Sequence, residues 1–194
     1  KAFYCCINMK GVVIPEGVTS IGDNAFLQCS AMESVILPST LTHTGEYAFK
    51  DCWSLKDVVL PESLTEYGFG LFYNCSAMTS IVIPDSVTLI GDYAFYNCTG
   101  LSSFTIPDSV ESIGQYAFYN CFSLTGIRMP TSLTSIGEGA FYDCVSLEGI
   151  IIPDSVTSIG ESAFRGCEEL YNITLPNSIT SIGVEAFASC YDLT

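Results

Sequence analysis

The chain has 194 residues, 48% of them hydrophobic, and a mean hydropathy of +0.40, so it can bury a large core and is not disordered by composition. Six Lys and Arg stand against 21 Asp and Glu, a net charge of −15 that argues against nucleic acid or anionic membrane as a partner, since both need basic patches. No apolar run approaches the roughly 20 residues needed to span a bilayer, and no basic-then-apolar secretory signal opens the chain.

One spacing dominates. Prolines occupy positions 15, 38, 61, 84, 107, 130, 153 and 176, every 23 residues and nowhere else. A glycine follows each proline by seven residues, from Gly22 to Gly183, and phenylalanine (Phe3 to Phe187) and cysteine (Cys6 to Cys190) recur in the same register. A fixed period in the 20–50 range signals a solenoid. Lys1 enters part-way through a unit and Thr194 leaves another before its strand, and neither end carries the polar capping unit that closes a solenoid core. The expectation is therefore one solenoid domain over residues 1–194, about eight units, cut from a longer array.

Within a unit, the residues before each proline alternate at period two, as in Met78-Thr-Ser-Ile-Val-Ile-Pro84, and predict a short strand that proline ends because it cannot donate to a ladder. The inward columns are Val12, Val35, Val58, Ile81, Phe104, Ile127, Ile150 and Ile173, then Ile14 through Leu175. Identical strands one period apart stack in parallel, about 4.8 Å apart, as one continuous sheet. Next comes Ser-Val-Thr-x-Ile-Gly, as in Ser155–Gly160, with two inward apolar residues, a possible second short strand, and a glycine that either takes positive φ or lets backbones approach closely. Last comes an acidic residue, x-Ala-Phe-x-x-Cys-x-x-Leu, as in Glu161–Leu170, whose apolar spacing predicts one or two turns of helix. Asn97, Asn120 and Asp143, each just before a cysteine, suit a left-handed turn position.

The pattern Pro-[Asp/Glu]-Ser-Val-Thr-x-Ile-Gly-x-x-Ala-Phe-x-x-Cys-x-x-Leu-x-x-Ile-x-Ile resembles the BspA-like leucine-rich repeats, a 23-residue type, and does so along essentially the whole chain. The resemblance implies a right-handed curved solenoid of leucine-rich-repeat type, with a parallel sheet on one face and short helical turns on the other. It also implies display at a cell surface or in the extracellular space, and adhesion to host proteins or to other microbes; it implies no particular ligand and no cofactor. The unit from Pro61 departs most, with Tyr67 in an isoleucine column and Phe69-Gly70-Leu71 in place of acidic-x-Ala, and the unit before it carries Thr44 in that isoleucine column.

Few residues carry chemistry. The nine in-register cysteines read as buried free thiols, with no disulfide, because parallel side chains do not aim at one another. Cys5 stands in the turn column held elsewhere by Asn97. No CxxC pair occurs and His43 is the only histidine, which leaves little scope for metal binding or Ser/His catalysis and reads as a non-enzyme. The acidic columns (Glu16, Glu62, Asp85, Asp108 and Asp154 after the prolines) are interrupted by Ser39, Thr131 and Asn177, so they read as a solvated face rather than a Ca²⁺ ladder.

Two outward stripes remain as binding candidates. The first is the solvent face of the sheet: Val59, Val82, Thr105, Arg128, Ile151 and Thr174, following Val13 and Ile36, beside a column of small residues such as Ser80, Ser103, Gly126 and Gly149. The second is Tyr73, Tyr96, Tyr119 and Tyr142. The expected partner is a protein, such as a host extracellular or microbial surface protein, or a glycan. The alternative is a spacer that holds another domain away from the cell.

Overall fold

The computed structural model describes residues 1–65 and 67–194. The chain winds as a solenoid in which every turn repeats the same three segments. The strands before the prolines are β1 (Gly11–Val13), β3 (Ser34–Ile36), β5 (Asp57–Val59), β7 (Ser103–Thr105), β9 (Gly126–Arg128), β11 (Gly149–Ile151) and β13 (Asn172–Thr174). All pair in parallel with a register of one period: Val12 faces Val35, and Val35 faces Val58. The expected continuous sheet is interrupted at Val82, where single bridges, Val59 to Val82 and Val82 to Thr105, join a three-stranded part to a four-stranded one. These eight strand positions are separated by seven turns.

The second strand forms as expected, two residues at a time. It comprises β2 (Ser20–Ile21), β4 (His43–Thr44), β6 (Leu89–Ile90), β8 (Ser112–Ile113), β10 (Ser135–Ile136), β12 (Ser158–Ile159) and β14 (Ser181–Ile182), again all parallel. Among the described residues this ladder has no strand between β4 and β6, in the unit whose sequence departs most. There Thr44 is buried and accepts a hydrogen bond from the Gly68 amide (3.3 Å), in place of an isoleucine that would only pack. Burial pushes the Tyr67 hydroxyl well above its ordinary value.

The third segment corrects the helical expectation. Among the described residues there is no helix; tight turns run through Ala94-Phe95-Tyr96 and its equivalents. Alternate amides point to different partners. Tyr93, Phe95 and Asn97 donate to the carbonyls of Gln115, Ala117 and Tyr119 in the next turn (2.7–2.9 Å), while Ala94, Tyr96 and Cys98 donate to the residue three back. The reason is spacing. Stacked phenylalanine rings set successive turns 5.0–5.7 Å apart, whereas packed helices need about 8–10 Å. A flat turn stitched to its neighbours fits that pitch. The apolar spacing that suggested a helix serves the turn equally well.

The core lies between the three walls, filled by the Phe, Cys, Leu and Ile columns. Phe26 to Phe164 are at most 1% exposed, and each presents both ring faces to other rings. Burying such a side chain contributes about 1.5–3 kcal/mol, and each ring pair up to ~1.5 more. Phe104 meets Phe95 and Phe118 edge-on at 5.0 and 4.9 Å, filling a strand column otherwise held by smaller side chains. Cys29 to Cys167 are buried free thiols, as the sequence implied, and each has a partner that it did not reveal: Cys98 Sγ donates to the Phe72 carbonyl at 3.2 Å, and the others repeat this one turn apart. Burial pushes the Cys98 thiol up to about 12, so the nucleophilic thiolate does not form near neutrality.

The glycine column resolves in favour of close approach. None of Gly22, Gly45, Gly91, Gly114, Gly137, Gly160 or Gly183 has positive φ, but a Cβ on Gly137 would lie 2.7 Å from the Gly114 carbonyl carbon. Asn97, Asn120 and Asp143 do take the left-handed conformation, with φ of 54–57°. A second left-handed column escaped the sequence: Tyr47, Tyr93, Tyr116, Ser162 and Glu185, at φ of 52–57°.

Candidate functional site

The sheet's outer face is built by alternation. With Val58 and Ile150 turned inward, their neighbours must face solvent, and Val13, Ile36, Val59, Val82 and Ile151 are 61–78% exposed. Thr105, Arg128 and Thr174 share that face. Five large aliphatic side chains left this open, in one column, form an apolar surface with nothing over it. Small residues alongside, Ser80, Ser103, Gly126 and Gly149, keep the face low and give access to the aliphatic ridge.

Two shallow depressions indent this face. One, about 410 Å³, lies over Val82 and Thr105 and is rimmed by Asp85 and Asp108. The other, about 870 Å³, lies over Ile151 and Thr174 and reaches Asp154 and Tyr171. Arg128 stands between them and lines both. Its guanidinium donates to both carboxylate oxygens of Asp108 (3.1 and 3.2 Å), with both side chains more than half exposed. Such a pair is worth at most about 1 kcal/mol, so either group is available to an incoming partner. The alternation placed the six face residues together in advance. The partner of Arg128 and the exposed Tyr171 were missed. The usable signal is the acidic residue after Pro107, since Asp108 meets the outward strand side chain 20 residues on.

The tyrosine stripe is arranged differently. Tyr73, Tyr96, Tyr119 and Tyr142 stack ring on ring, with centroids 4.3, 4.5 and 5.0 Å apart. Lys50 caps one end, 4.3 Å over the Tyr73 ring, and Arg165 the other, 5.7 Å over Tyr142. The ring faces are thus occupied, and edges and hydroxyls remain for solvent. Burial raises the Tyr73, Tyr96 and Tyr119 phenols above their ordinary value. Nearby Tyr116 donates to Glu138, and that bond holds its phenol at about 12. Among the described residues no cluster of three or more His, Cys, Asp or Glu side chains is arranged to hold a metal, and no helix is long and apolar enough to cross a membrane.

Comparison with known proteins fits this architecture. The model of the BspA type leucine rich repeat region matches residues 1–108 and 88–194, with six copies. Among functionally curated proteins, none matches the chain. Among solved structures, a leucine rich cell surface protein from Faecalibacterium prausnitzii is 33% identical over 100% of this chain, with a TM-score of 0.65. The chain spans 60% of that protein's length. A leucine-rich repeat protein from Bacteroides ovatus is 26% identical, with a TM-score of 0.65, and the chain covers 67% of it. The leucine rich repeat protein of T. pallidum is 29% identical over 96% of this chain and 79% of its own, with a TM-score of 0.75. From its first turn to its last, the chain belongs to the BspA-type leucine-rich repeat family.

Proposed function

We propose that this protein is a non-enzymatic interaction scaffold displayed at a cell surface, which adheres to a host protein, another microbe's surface protein or a glycan through the outer face of its sheet. The observation that carries this reading is the column of exposed aliphatic side chains, 61–78% accessible, beside two depressions that share Arg128. The description of the F. prausnitzii relative as a cell surface protein supports the location. In this reading residues 1–194 act as a single solenoid domain.

The test is the variant Val82→Glu/Arg128→Glu/Ile151→Glu. All three side chains are exposed, and losing the Arg128–Asp108 pair costs at most about 1 kcal/mol. Its melting temperature should stay within a few degrees of the parent's, while retention on immobilised host matrix protein and on microbial cells should be lost. Adhesion equal to the parent's would favour the spacer reading instead.

A further inference from the structure

Resting on the sheet-face reading, we propose that the chain-start half of this face takes an amphipathic helix of a partner protein, laid along the solenoid axis with its basic flank turned toward the strand ends. The face is not uniform. Val13, Ile36, Val59 and Val82 follow one another in consecutive turns, all strongly exposed; Thr105 and the ion-paired Arg128 then end the aliphatic run. Past the strand ends, the carboxylates of Glu16, Glu62, Asp85 and Asp108 border the same turns. Among the described residues, Glu16, Glu62 and Asp85 have no cation within ion-pair distance. Of the six Lys and Arg, only Arg128 pairs with this acidic row among the described residues, at Asp108. Lys10 and Lys56 share Glu33 at the opposite edge, Arg165 pairs with Glu185, and Lys50 sits over tyrosine rings. The complement is a segment with an aliphatic stripe and Lys or Arg along one side of it.

Spacing selects the helix. The aliphatic column steps by about 4.8 Å per turn of the solenoid. A helix brings a side chain back to the same line every ~5.4 Å. Over the three steps from Val13 to Val82 the mismatch grows to about 2 Å, within the reach of a leucine or lysine side chain. An extended strand returns to the same side only every ~6.8 Å and slips about 6 Å over the same distance, more than a full column step. The apolar anchors then follow the i, i+3/i+4, i+7 pattern of helix-in-groove recognition.

The probe is an 18-residue Leu/Lys/Gln peptide with leucines at helical spacing and lysines on one flank, compared with an isomer of the same composition whose leucines alternate. Calorimetric titration of the folded protein should show the helical isomer binding at least tenfold tighter. Glu62→Lys/Asp85→Lys should weaken it at least tenfold. Ile36→Glu/Val59→Glu is the decisive variant. Its added carboxylates would strengthen mere charge attraction, so tenfold weaker binding establishes the aliphatic contact, and unchanged or tighter binding overturns the proposal. Equal binding of the alternating isomer also overturns it. Both results are separable from the adhesion assay above. If Val82→Glu/Arg128→Glu/Ile151→Glu loses adhesion while the isomers bind alike, the helical partner is wrong and the sheet face stands; if that variant adheres as the parent does, the sheet-face reading itself falls.

Discussion

Asp143 occupies a place where a proton or an amide is wanted. It closes the Asn/Asp run Asp51, Asn74, Asn97, Asn120, Asp143 of a left-handed column that Gly166 and Ser189 continue, and the Asn74 and Asn97 amides donate toward the chain start. Asn74 Nδ2 reaches Asp51 Oδ1 at 2.7 Å, and Asn97 Nδ2 reaches Asn74 Oδ1 at 2.9 Å. Asn120 Oδ1 is buried with no donor, and the next member of the column is a carboxylate. Burial first, then the charge of Glu168, raises the Asp143 carboxyl above its ordinary value, with Arg165 opposing. A raised acid holds its proton more tightly when folded, so this site's contribution to stability is present at acid pH and is lost as pH rises through the folded value. Asp143→Asn supplies the missing donor without a charge and should stabilise by about 1 kcal/mol at pH 7. Thermal melts at pH 7 and pH 4 check this: the gain should shrink at pH 4, and an equal gain at both would count against the ladder. The Asn and Asp turn positions were legible because those residues tolerate positive φ. The Tyr47, Tyr93 and Tyr116 column was not, since nothing about a tyrosine marks a left-handed backbone and only its equivalents Asn24, Gly70 and Gly139 hint at one.

Each wall of a turn is defined by what it can bond to next door. The proline-bounded strand was readable because period-two alternation has one physical meaning. The third wall was misjudged because i, i+1, i+4, i+7 spacing is shared by a helix and by this turn, and only the pitch of the stack separates them. At several positions of the glycine column two turns approach closely. A methyl on Gly137 would press on the Gly114 carbonyl and the Gln115 amide at 2.7–2.9 Å, all backbone that cannot swing aside. At Gly91 the nearest atom among the described residues is the Tyr67 carbonyl oxygen at 3.9 Å. Gly137→Ala should therefore cost upwards of about 2 kcal/mol, while Gly91→Ala should be neutral or mildly stabilising through a less flexible unfolded chain. Urea denaturation of the two variants decides; equal losses would mean that the column is glycine for another reason.

Across the whole molecule, stability is close to a sum over turns and the contacts between them. Removing residues 85–107, one full period, joins Pro84 to Asp108 and leaves every column in register. That protein should still melt cooperatively with the same circular dichroism per residue, whereas removing residues 85–104 should abolish folding because the Phe and Cys columns no longer align. A stable fold from the shorter deletion would contradict the stacked-column account. At this scale the sequence disclosed the solenoid and its open face, because identical units leave a single way to stack. It did not disclose the Arg128–Asp108 pair, which depends on how particular unlike units meet.

Three lines of hydrogen bonds tie each turn to the next: the front strands, the back strands and the stitched turns. A pull along the axis loads all three together, yet only at the seam between two turns. The chain therefore yields turn by turn, each step releasing 23 residues, about 80 Å of extended chain. Under tension the molecule is a ratcheted tether that lengthens in equal increments, holding its remaining turns intact while it absorbs the load.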